Sequence, residues 1–379
     1  MSCGPCLLFW CCVFVIVYPY AIYPLLLVGL NGILRRRFPV PDRSFEPSIT
    51  VICPIHNEAG SIAGKIENMI ALDYPSDRLE LLIVGDGCTD GSLGIARRTG
   101  GSRVRVVDLP RAGKASALNA GLDLARGEVI VFTDAGIRTG QDVLRALAGH
   151  FADPSVGCVS GEDRIRGGSG EGLYGGLELK LRREEARLFS IAGASGCLYA
   201  VRRSDCRPFR AGMAPDFLSV LDIVRGGKRA LCEPSAHGYM SATSSARGEF
   251  ARKKRTILRG MTALFANASL LSPLKYPAFS FILASHKLLR WLAPLALVGA
   301  LSASMQLGDQ FPYGLALQAQ VVLYGLAFLG LALPGLAVRW LPIRICAFFV
   351  LVNAAAAAAL ALWLTGIRQE VWEPTRRPP

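Results

Sequence analysis

A pattern that occurs three times near the start of the chain limits the folds open to it. Short apolar runs at residues 49–52, 81–84 and 129–132 each lead into a cluster of turn and polar residues. β-Branched and apolar runs of this length, ended by turn residues, are typical of buried parallel strands. Because open α/β sheets bind ligands outside the carboxyl ends of such strands, the polar clusters lie where a ligand would bind.

Four motifs carry these polar residues in a fixed order. They are Pro54-Ile55-His56-Asn57-Glu58, Gly85-Asp86-Gly87-Cys88-Thr89-Asp90-Gly91, Gly113-Lys114-Ala115-Ser116-Ala117-Leu118-Asn119 and Thr133-Asp134-Ala135-Gly136. The surrounding pattern predicts strands at 49–56, 79–85, 103–108, 128–134, 155–165, 197–201 and 228–239, and helices near 61–71, 92–99, 115–125, 140–151, 178–188 and 216–226. This alternation predicts a parallel sheet with helices on both faces. The Gly-rich stretch 167–172 predicts a surface loop.

The two ends of the chain are much more apolar than the middle. Hydrophobic residues make up 51% of the 379 residues, and the mean hydropathy is +0.36. Residues 7–34 carry no charge and are followed by Arg35-Arg36-Arg37, which predicts a retained membrane anchor with its N-terminus outside. A signal peptide would instead carry its charge first.

The predicted organisation has six parts. They are an anchor at 1–37, a Pro-containing linker at 38–48, a cytoplasmic catalytic domain at 49–272, an amphipathic interfacial helix at 273–290, about three transmembrane helices within 291–366 and a basic tail at 367–379. The apolar runs within 291–366 are 291–307, 314–336 and 345–366, with Arg339 and Arg344 marking an inside loop. By parity the tail would then be outside, but its arginines favour the inside, and the sequence leaves this conflict open.

The charge pattern favours a membrane surface over nucleic acid as the partner. The net charge is +13, and the basic clusters at 35–37, 252–255 and 376–377 all lie close to apolar segments. No nucleic-acid motif is present. The eleven cysteines show no metal-site spacing.

The four motifs together resemble those of inverting family 2 glycosyltransferases of the GT-A fold, whose usual forms are P-x-Y-N-E, D-D-G-S-T-D, G-K-x-x-A-L-N and D-x-D. The likeness covers about residues 49–291 and includes Phe151-Ala152-Asp153-Pro154-Ser155-Val156-Gly157, Gly193-Ala194-Ser195-Gly196 and Ser285-His286-Lys287-Leu288-Leu289-Arg290-Trp291. It implies a Rossmann-like, mostly parallel GT-A catalytic domain joined to transmembrane helices. In this respect the chain is similar to exopolysaccharide and poly-N-acetylglucosamine synthase-like enzymes.

The resemblance implies a set of residues that hold the nucleotide-sugar donor. They are Pro54, Asn57, Glu58, Asp86, Gly113, Lys114, Asn119, Asp134, Arg252 and Arg255. Asp86 would contact the uracil of a UDP-sugar or, alternatively, form the turn, and Asn57 and Glu58 would bind the donor or cap a helix. Lys114 precedes a helix, where a cation and the helix N-terminus suit a phosphate. Arg252 and Arg255 stand where processive synthases carry Q-x-x-R-W, and would contact the diphosphate or anionic lipid headgroups.

Asp134 matches the first Asp of D-x-D, which implies binding of Mg²⁺ or Mn²⁺. Gly136 replaces the second Asp and offers no side-chain oxygen. Either Asp134 alone holds the metal with phosphate and water, or Glu162 or Asp163 assists.

Asp216 matches the last acid of an E-D or D-D pair, which implies that it is the catalytic general base. Pro215 replaces the first acid, and a structural role for Asp216 at a helix start is the alternative. Gly85, Gly136 and Pro215 are the three departures from the family motifs.

Two functions are therefore open. The first is an inner- or plasma-membrane glycosyltransferase that moves a sugar from a nucleotide-sugar to a lipid-linked, glycolipid or polysaccharide acceptor at the cytoplasmic face. The second is a pseudo-transferase that binds sugar nucleotides and scaffolds a polysaccharide assembly complex. The membrane lipids, and other polysaccharide-synthesis proteins, are the expected partners.

Overall fold

The computed structural model describes residues 3–166, 170–241 and 245–368. All but the first two residues of the predicted basic tail at 367–379 lie outside the described residues.

One eight-stranded sheet forms the centre of the catalytic part. Its strands are β1 (Ile49–Ile55), β2 (Leu79–Asp86), β3 (Val104–Leu109), β4 (Val129–Thr133), β5 (Arg138–Thr139), β6 (Val156–Arg166), β7 (Leu198–Arg202) and β8 (Arg229–Ser241), in the order β3-β2-β1-β4-β7-β6-β8-β5. The neighbours β1, β2, β3 and β4 are parallel, while β7 runs antiparallel to β4 and β6. The predicted parallel arrangement is confirmed for the first half of the sheet, and the sequence did not predict β5 or the reversed direction of β7.

The helices cover both faces of this sheet and form the two apolar ends. They are α1 (Cys3–Val17), α2 (Tyr23–Ile33), α3 (Ile62–Ile70), α4 (Ser92–Gly100), α5 (Lys114–Leu124), α6 (Val143–Ala148), α7 (Gly170–Leu188), α8 (Pro215–Arg225), α9 (Ala246–Phe265), α10 (Pro277–Leu283), α11 (Leu289–Gln306), α12 (Tyr313–Ala332), α13 (Pro334–Arg339) and α14 (Leu341–Leu364). Residues 170–172 of the predicted Gly-rich loop belong to α7, and residues 167–169 lie outside the described residues.

The apolar runs of the sequence become the core of the sheet. All seven residues of β1 are buried, as are the last six of β2 and all five of β4. Such continuous burial on both faces requires helices above and below the sheet, which is why these strands carry no alternating polar residues. The carboxyl ends of the strands therefore stay fixed, and the polar motifs that follow them share one edge.

Four helical segments of the described chain are long and apolar enough to cross a membrane. They are Gly4–Ile33, Pro277–Gln306, Tyr313–Ala332 and Leu341–Leu364. The first contains a π-turn at Tyr18–Ile22, and the second contains one at Ala284–Leu288. The structure has no break at residue 290, so the segment predicted as a separate interfacial helix is the start of the second long helix. Arg344, predicted in a loop, lies in the first turns of α14.

Helix α9 is the largest element that the sequence analysis missed. It begins at a side-chain cap, in which Ser245 Oγ accepts from the Gly248 N–H, and it runs for 20 residues. It packs against α14, where the rings of Phe265 and Trp363 have centroids 4.4 Å apart. The basic stretch 252–255 therefore lies on a helix that joins the sheet domain to an apolar span.

Candidate active site

The loops that follow β1 and β2 are tied together by hydrogen bonds. His56 Nδ1 lies 2.7 Å from the Asp86 carbonyl oxygen, and Asn57 Oδ1 accepts from the Thr89 N–H at 2.8 Å. The Glu58 N–H donates to Ser92 Oγ at 2.8 Å. Asn57 has a φ of +54°, a left-handed conformation that asparagine adopts more readily than most residues. The first two motifs therefore form one connected surface at the edge of the sheet.

Asp86 is buried and its carboxylate is occupied within the protein. Oδ1 accepts from the Ala112 N–H at 2.7 Å and from the Gly113 N–H at 2.9 Å, and Oδ2 pairs with Arg111 Nη1 at 2.5 Å. Asp86 therefore organises the turn that precedes α5. Its contact with the base of a nucleotide-sugar stays a prediction.

That turn places Lys114 at the start of α5. Gly113 has a φ of +93°, a value that side-chain-bearing residues rarely adopt, so glycine is required there. Lys114 Nζ lies 2.7 Å from Asp134 Oδ1. Burial alone lowers the pKa of Lys114, but the Asp134 carboxylate outweighs it and the pKa is raised. Lys114 is therefore a fixed cation beside a helix N-terminus.

Several predicted site residues line one small pocket. Its walls are Pro54, Lys114, Leu118, Phe132, Thr133, Asp134, Gly196, Tyr199, Pro215 and Asp216. Residues from β1, β4, α5 and α8 are thus brought together from parts of the chain as far apart as 54 and 216. Its lining combines the charged Lys114, Asp134 and Asp216 with the aromatic Phe132 and Tyr199.

Asp216 lies in the first turn of α8, directly after Pro215. Its carboxylate faces Gly196, where an added Cβ would stand 3.8 Å from the carboxylate carbon. Burial raises the pKa of Asp216 above its ordinary value, and the charges of Lys114, Lys287 and Arg182 partly oppose this rise. A carboxylate with a raised pKa is a stronger base, so this position suits proton abstraction.

The two acids considered as metal helpers differ in their surroundings. Glu162 is buried and receives two hydrogen bonds from Arg183, at 2.9 and 3.0 Å, so it is neutralised elsewhere. Asp163 accepts from Ser195 Oγ, and burial raises its pKa, while Asp134 and Asp216 raise it further. Asp163 therefore belongs to the same electrostatic cluster as the pocket acids, and Glu162 does not.

Two of the expected donor-binding side chains, Asn119 and Arg252, form contacts within the protein. The side-chain amide of Asn119 donates to the Phe209 carbonyl at 2.9 Å and accepts from the Phe209 N–H at 2.7 Å. Arg252 pairs with the buried Glu249 at 2.7 Å. Neither Arg252 nor Arg255 is among the described residues that line the pocket. Asn119 fastens the 203–214 segment, and the arginines lie on α9.

The residues present offer a divalent ion one carboxylate. No group of three or more His, Cys, Asp and Glu side chains suited to a metal occurs in the described ranges. Asp134 supplies an oxygen at the strand end, and Gly136 has open space around the position of a Cβ. A Mg²⁺-type ion held by one or two carboxylates together with substrate phosphates and water fits this donor set.

The sequence analysis missed two cations near the site, Arg182 and Lys287. Lys287 lies in a stretch that was interpreted as membrane interface and as part of the family likeness, and Arg182 in a predicted helix, but neither residue was given a role at the site. A lysine inside an otherwise apolar helix was the available signal.

The model of glycosyl transferase family 2 matches residues 50–207 of the chain. A mannosyltransferase from Pyrobaculum calidifontis, solved with GDP-Man and Mn²⁺, superposes with a TM-score of 0.72 at 26% identity, over 94% of this chain and 99% of that one. Poly-beta-1,6-N-acetyl-D-glucosamine synthase of Staphylococcus aureus is 32% identical over 31% of this chain and 29% of its own length. Dodecaprenyl-phosphate galacturonate synthase of Rhizobium johnstonii is 38% identical over 26% and 30%.

The matches to the curated relatives span less than half of each relative's length. The range matched by the family model contains all four polar motifs. Residues 50–207 therefore match the glycosyl transferase family 2 model, and the chain has a GT-A-like fold.

Proposed function

We propose that this protein is an inverting glycosyltransferase that transfers a sugar from a nucleotide-sugar to an acceptor at a membrane surface. The observation that carries the proposal is the pocket in which Lys114, Asp134 and Asp216 line the same walls. A cation, a potential metal ligand and a base are the three groups that such a transfer needs. They are contributed by α5, β4 and α8, all fixed on the central sheet.

Different residues of the site act on the donor and on the acceptor. Lys114 and the N-terminus of α5 attract the donor diphosphate, and Pro54 and the 56–58 loop form the wall beside the nucleoside. Asp216 takes the proton of the attacking hydroxyl. A base positioned in this way accelerates a reaction by roughly two to four orders of magnitude.

Asp134 is the residue that would hold Mg²⁺ or Mn²⁺. When bound, such an ion neutralises the charge that develops on the departing diphosphate. Lys114, which now pairs with Asp134, would then turn toward the phosphates. The mannosyltransferase neighbour is known with Mn²⁺, and this supports the choice of ion.

The membrane arrangement follows from the four apolar helices. We place the protein in the plasma membrane as a multi-pass chain, with the sheet domain on the cytoplasmic side, because Arg35-Arg36-Arg37 directly follows the first span. Lipid-linked, glycolipid and polysaccharide acceptors all fit this position. The names of the relatives, one a polysaccharide synthase and one a dodecaprenyl-phosphate synthase, support acceptors of these classes.

Release of nucleoside diphosphate by the purified full-length protein tests the proposal. A panel of UDP- and GDP-sugars is needed, since the resemblance favours UDP and the structural neighbour binds GDP-Man. We expect release from one donor, loss of release in EDTA, recovery with Mn²⁺ and no recovery in Asp134→Ala. Full activity in EDTA would show that side-chain cations replace the metal.

A pseudo-transferase scaffold is the second candidate. The observation in its favour is that Asp134 is paired with Lys114 and that Gly136 adds no oxygen. Tight nucleotide binding without release of diphosphate from any donor, in the presence of Mn²⁺, would establish this alternative.

A further inference from the structure

Two cations from different helices, Lys287 and Arg182, interact electrostatically with the Asp216 carboxylate. Lys287, in the π-turn at Ala284–Leu288, has its Nζ 5.9 Å from the centroid of the Phe217 ring. The same Nζ lies 3.6 Å from the position that a Cβ on Gly193 would occupy. Phe217 follows Asp216 directly, so Lys287 reaches the neighbourhood of the proposed base from an apolar helix.

Arg182 is the second cation, and it comes from α7. Its Nε is buried and has no hydrogen-bond partner within the described part of the chain. The nearest carboxylate oxygen, on Glu178, is 3.9 Å away, which is too far for a hydrogen bond. Glu178 already pairs with His286 Nε2 at 2.7 Å and with Arg290 Nη1 at 2.7 Å. The charge of Glu178 is thus compensated by His286 and Arg290, without Arg182.

Lys287 has no hydrogen bond or ion pair in residues 3–166, 170–241 and 245–368, and its aromatic contact is with Phe217. Both cations nevertheless interact electrostatically with the Asp216 carboxylate. Asp163 faces Arg182 from β6, and Lys114 faces Asp216 from α5. The cluster therefore contains ammonium and guanidinium donors that the protein itself does not use.

Arg182 Nε and the Lys287 ammonium are therefore hydrogen-bond donors available to an anion. A buried N–H group without a partner is unfavourable, and such groups in folded proteins usually meet a ligand, an ion or water. Guanidinium and ammonium groups placed together match the oxygens of a phosphate. We propose that Arg182 and Lys287 bind a phosphate group of the acceptor, next to the hydroxyl that Asp216 deprotonates. The proposal rests on the proposed function and narrows its acceptor to a phosphate-bearing lipid.

The position of Lys287 along its helix favours a lipid as the source of the phosphate. The helix from Leu289 to Gln306 has 18 residues. At 1.5 Å per residue it is about 27 Å long, close to the ~30 Å of a hydrocarbon core. If α11 crosses the membrane, Lys287 therefore lies at the level of the lipid headgroups. A phosphate carried by a membrane lipid would be at the same height.

A buried polar network holds Lys287 in this place. His286 Nδ1 lies 2.6 Å from Glu185 Oε1, which also accepts from the Tyr23 hydroxyl at 2.8 Å. The network joins α2, α7 and the π-turn, so His286 points into α7 while Lys287 points to Phe217. π-Turns are frequent at functional sites, where they turn consecutive side chains in different directions.

A binding experiment with matched lipids tests the proposal. The full-length protein in detergent is titrated with a polyprenyl phosphate and with the corresponding polyprenol, and binding is measured by native mass spectrometry. We expect the wild type to prefer the phosphate. Arg182→Met and Lys287→Met should each weaken phosphate-lipid binding about 10- to 100-fold, as for loss of a charge-assisted hydrogen bond. Their affinity for the polyprenol should not change.

Controls separate this outcome from a general defect and from failure of the proposed function. Lys180→Met removes an exposed cation two residues from Arg182 and should leave binding unchanged. Lys287→Arg should keep most of the phosphate preference, and the unfolding temperature of each variant shows whether it folds.

Equal binding of both lipids by the wild type would overturn the proposal. So would variants that weaken UDP or GDP binding instead, since the cations would then belong to the donor diphosphate. The assay needs no transfer, so an inactive wild type would contradict the proposed function alone.

Discussion

At the scale of single residues, the two glycines that depart from the family motifs have different causes. A Cβ on Gly85 would stand 2.7 Å from Leu93 Cδ2, so an aspartate there would displace a packed side chain. A Cβ on Gly136 would meet nothing within 4 Å. Packing therefore explains the first departure. The second has no steric reason, and an acid at residue 136 would be tolerated.

Gly136→Asp should lower the Mn²⁺ concentration needed for half-maximal diphosphate release. A second carboxylate two residues from Asp134 would add an oxygen ligand to the same ion. The measurement is a Mn²⁺ titration of nucleotide release. Gly136→Ala, which adds bulk without an oxygen, is the control and should behave as wild type. An unchanged half-maximal concentration in the aspartate variant would mean that residue 136 does not face the metal.

The acidic limb of the pH–rate profile should lie above the ordinary aspartate pKa of about 3.9. Burial raises the pKa of Asp216, and only its ionised form accepts a proton, so the rate should rise as pH rises through that raised pKa. Burial raises the pKa of Asp163 as well, so its variant is the control. Asp163→Asn should retain the limb if Asp216 is the base. Loss of the acidic limb in Asp163→Asn would assign the titration to Asp163 and not to Asp216.

At the scale of elements, the apolar helices help to hold α7 in place beside the candidate active site. The His286 network joins α2 and the π-turn to α7, and Tyr18 of the first π-turn lies 3.0 Å from Ser285 of the second, measured between their hydroxyl oxygens. Burial alone would raise the pKa of Glu178, but the charges of His286 and Arg290 outweigh this effect, and the pKa lies well below its usual range. The carboxylates of α7 are therefore compensated by groups from the long helix that begins at Pro277.

His286→Ala should strongly destabilise the docking of these helices. It leaves the buried carboxylate of Glu185 and the partly exposed carboxylate of Glu178 without the ring that both contact, and breaking a buried pair such as His286–Glu185 costs about 3–5 kcal/mol. Ser285→Ala, which removes one neutral hydrogen bond worth about 0.5–1.5 kcal/mol, is the adjacent control. Thermal unfolding in detergent compares the two. Equal shifts in the unfolding temperature would show that the network contributes little.

At the scale of the whole molecule, sequence patterns predicted the features that depend on residues close together in the chain. The β-branched run at 49–52 became the buried β1, and the motif after it reached the edge of the sheet. The direction of β7 could not be predicted, because the alternation of side chains along a strand is the same in both directions. The pocket residues Lys114, Asp134 and Asp216 were all named from the sequence.

Contacts between distant parts of the chain account for most of the differences. Asn119 matched the family motif, yet its amide is used by Phe209, 90 residues away. Asp86 holds a backbone turn that sequence spacing does not reveal. Lys287 faces the site because a π-turn sets its direction, and no periodicity in the sequence predicts a π-turn. Long-range geometry, rather than residue type, decided each of these roles.

The anomeric configuration of the product tests the central claim most directly. With full-length protein and its donor, NMR of the first product formed should show the configuration opposite to that of the donor sugar, since a single displacement assisted by one base inverts the anomeric carbon. Asp216→Asn should bind the donor as tightly as the wild type and lose transfer by roughly two to four orders of magnitude. A product with retained configuration, or an Asp216→Asn variant with full turnover, would contradict the account.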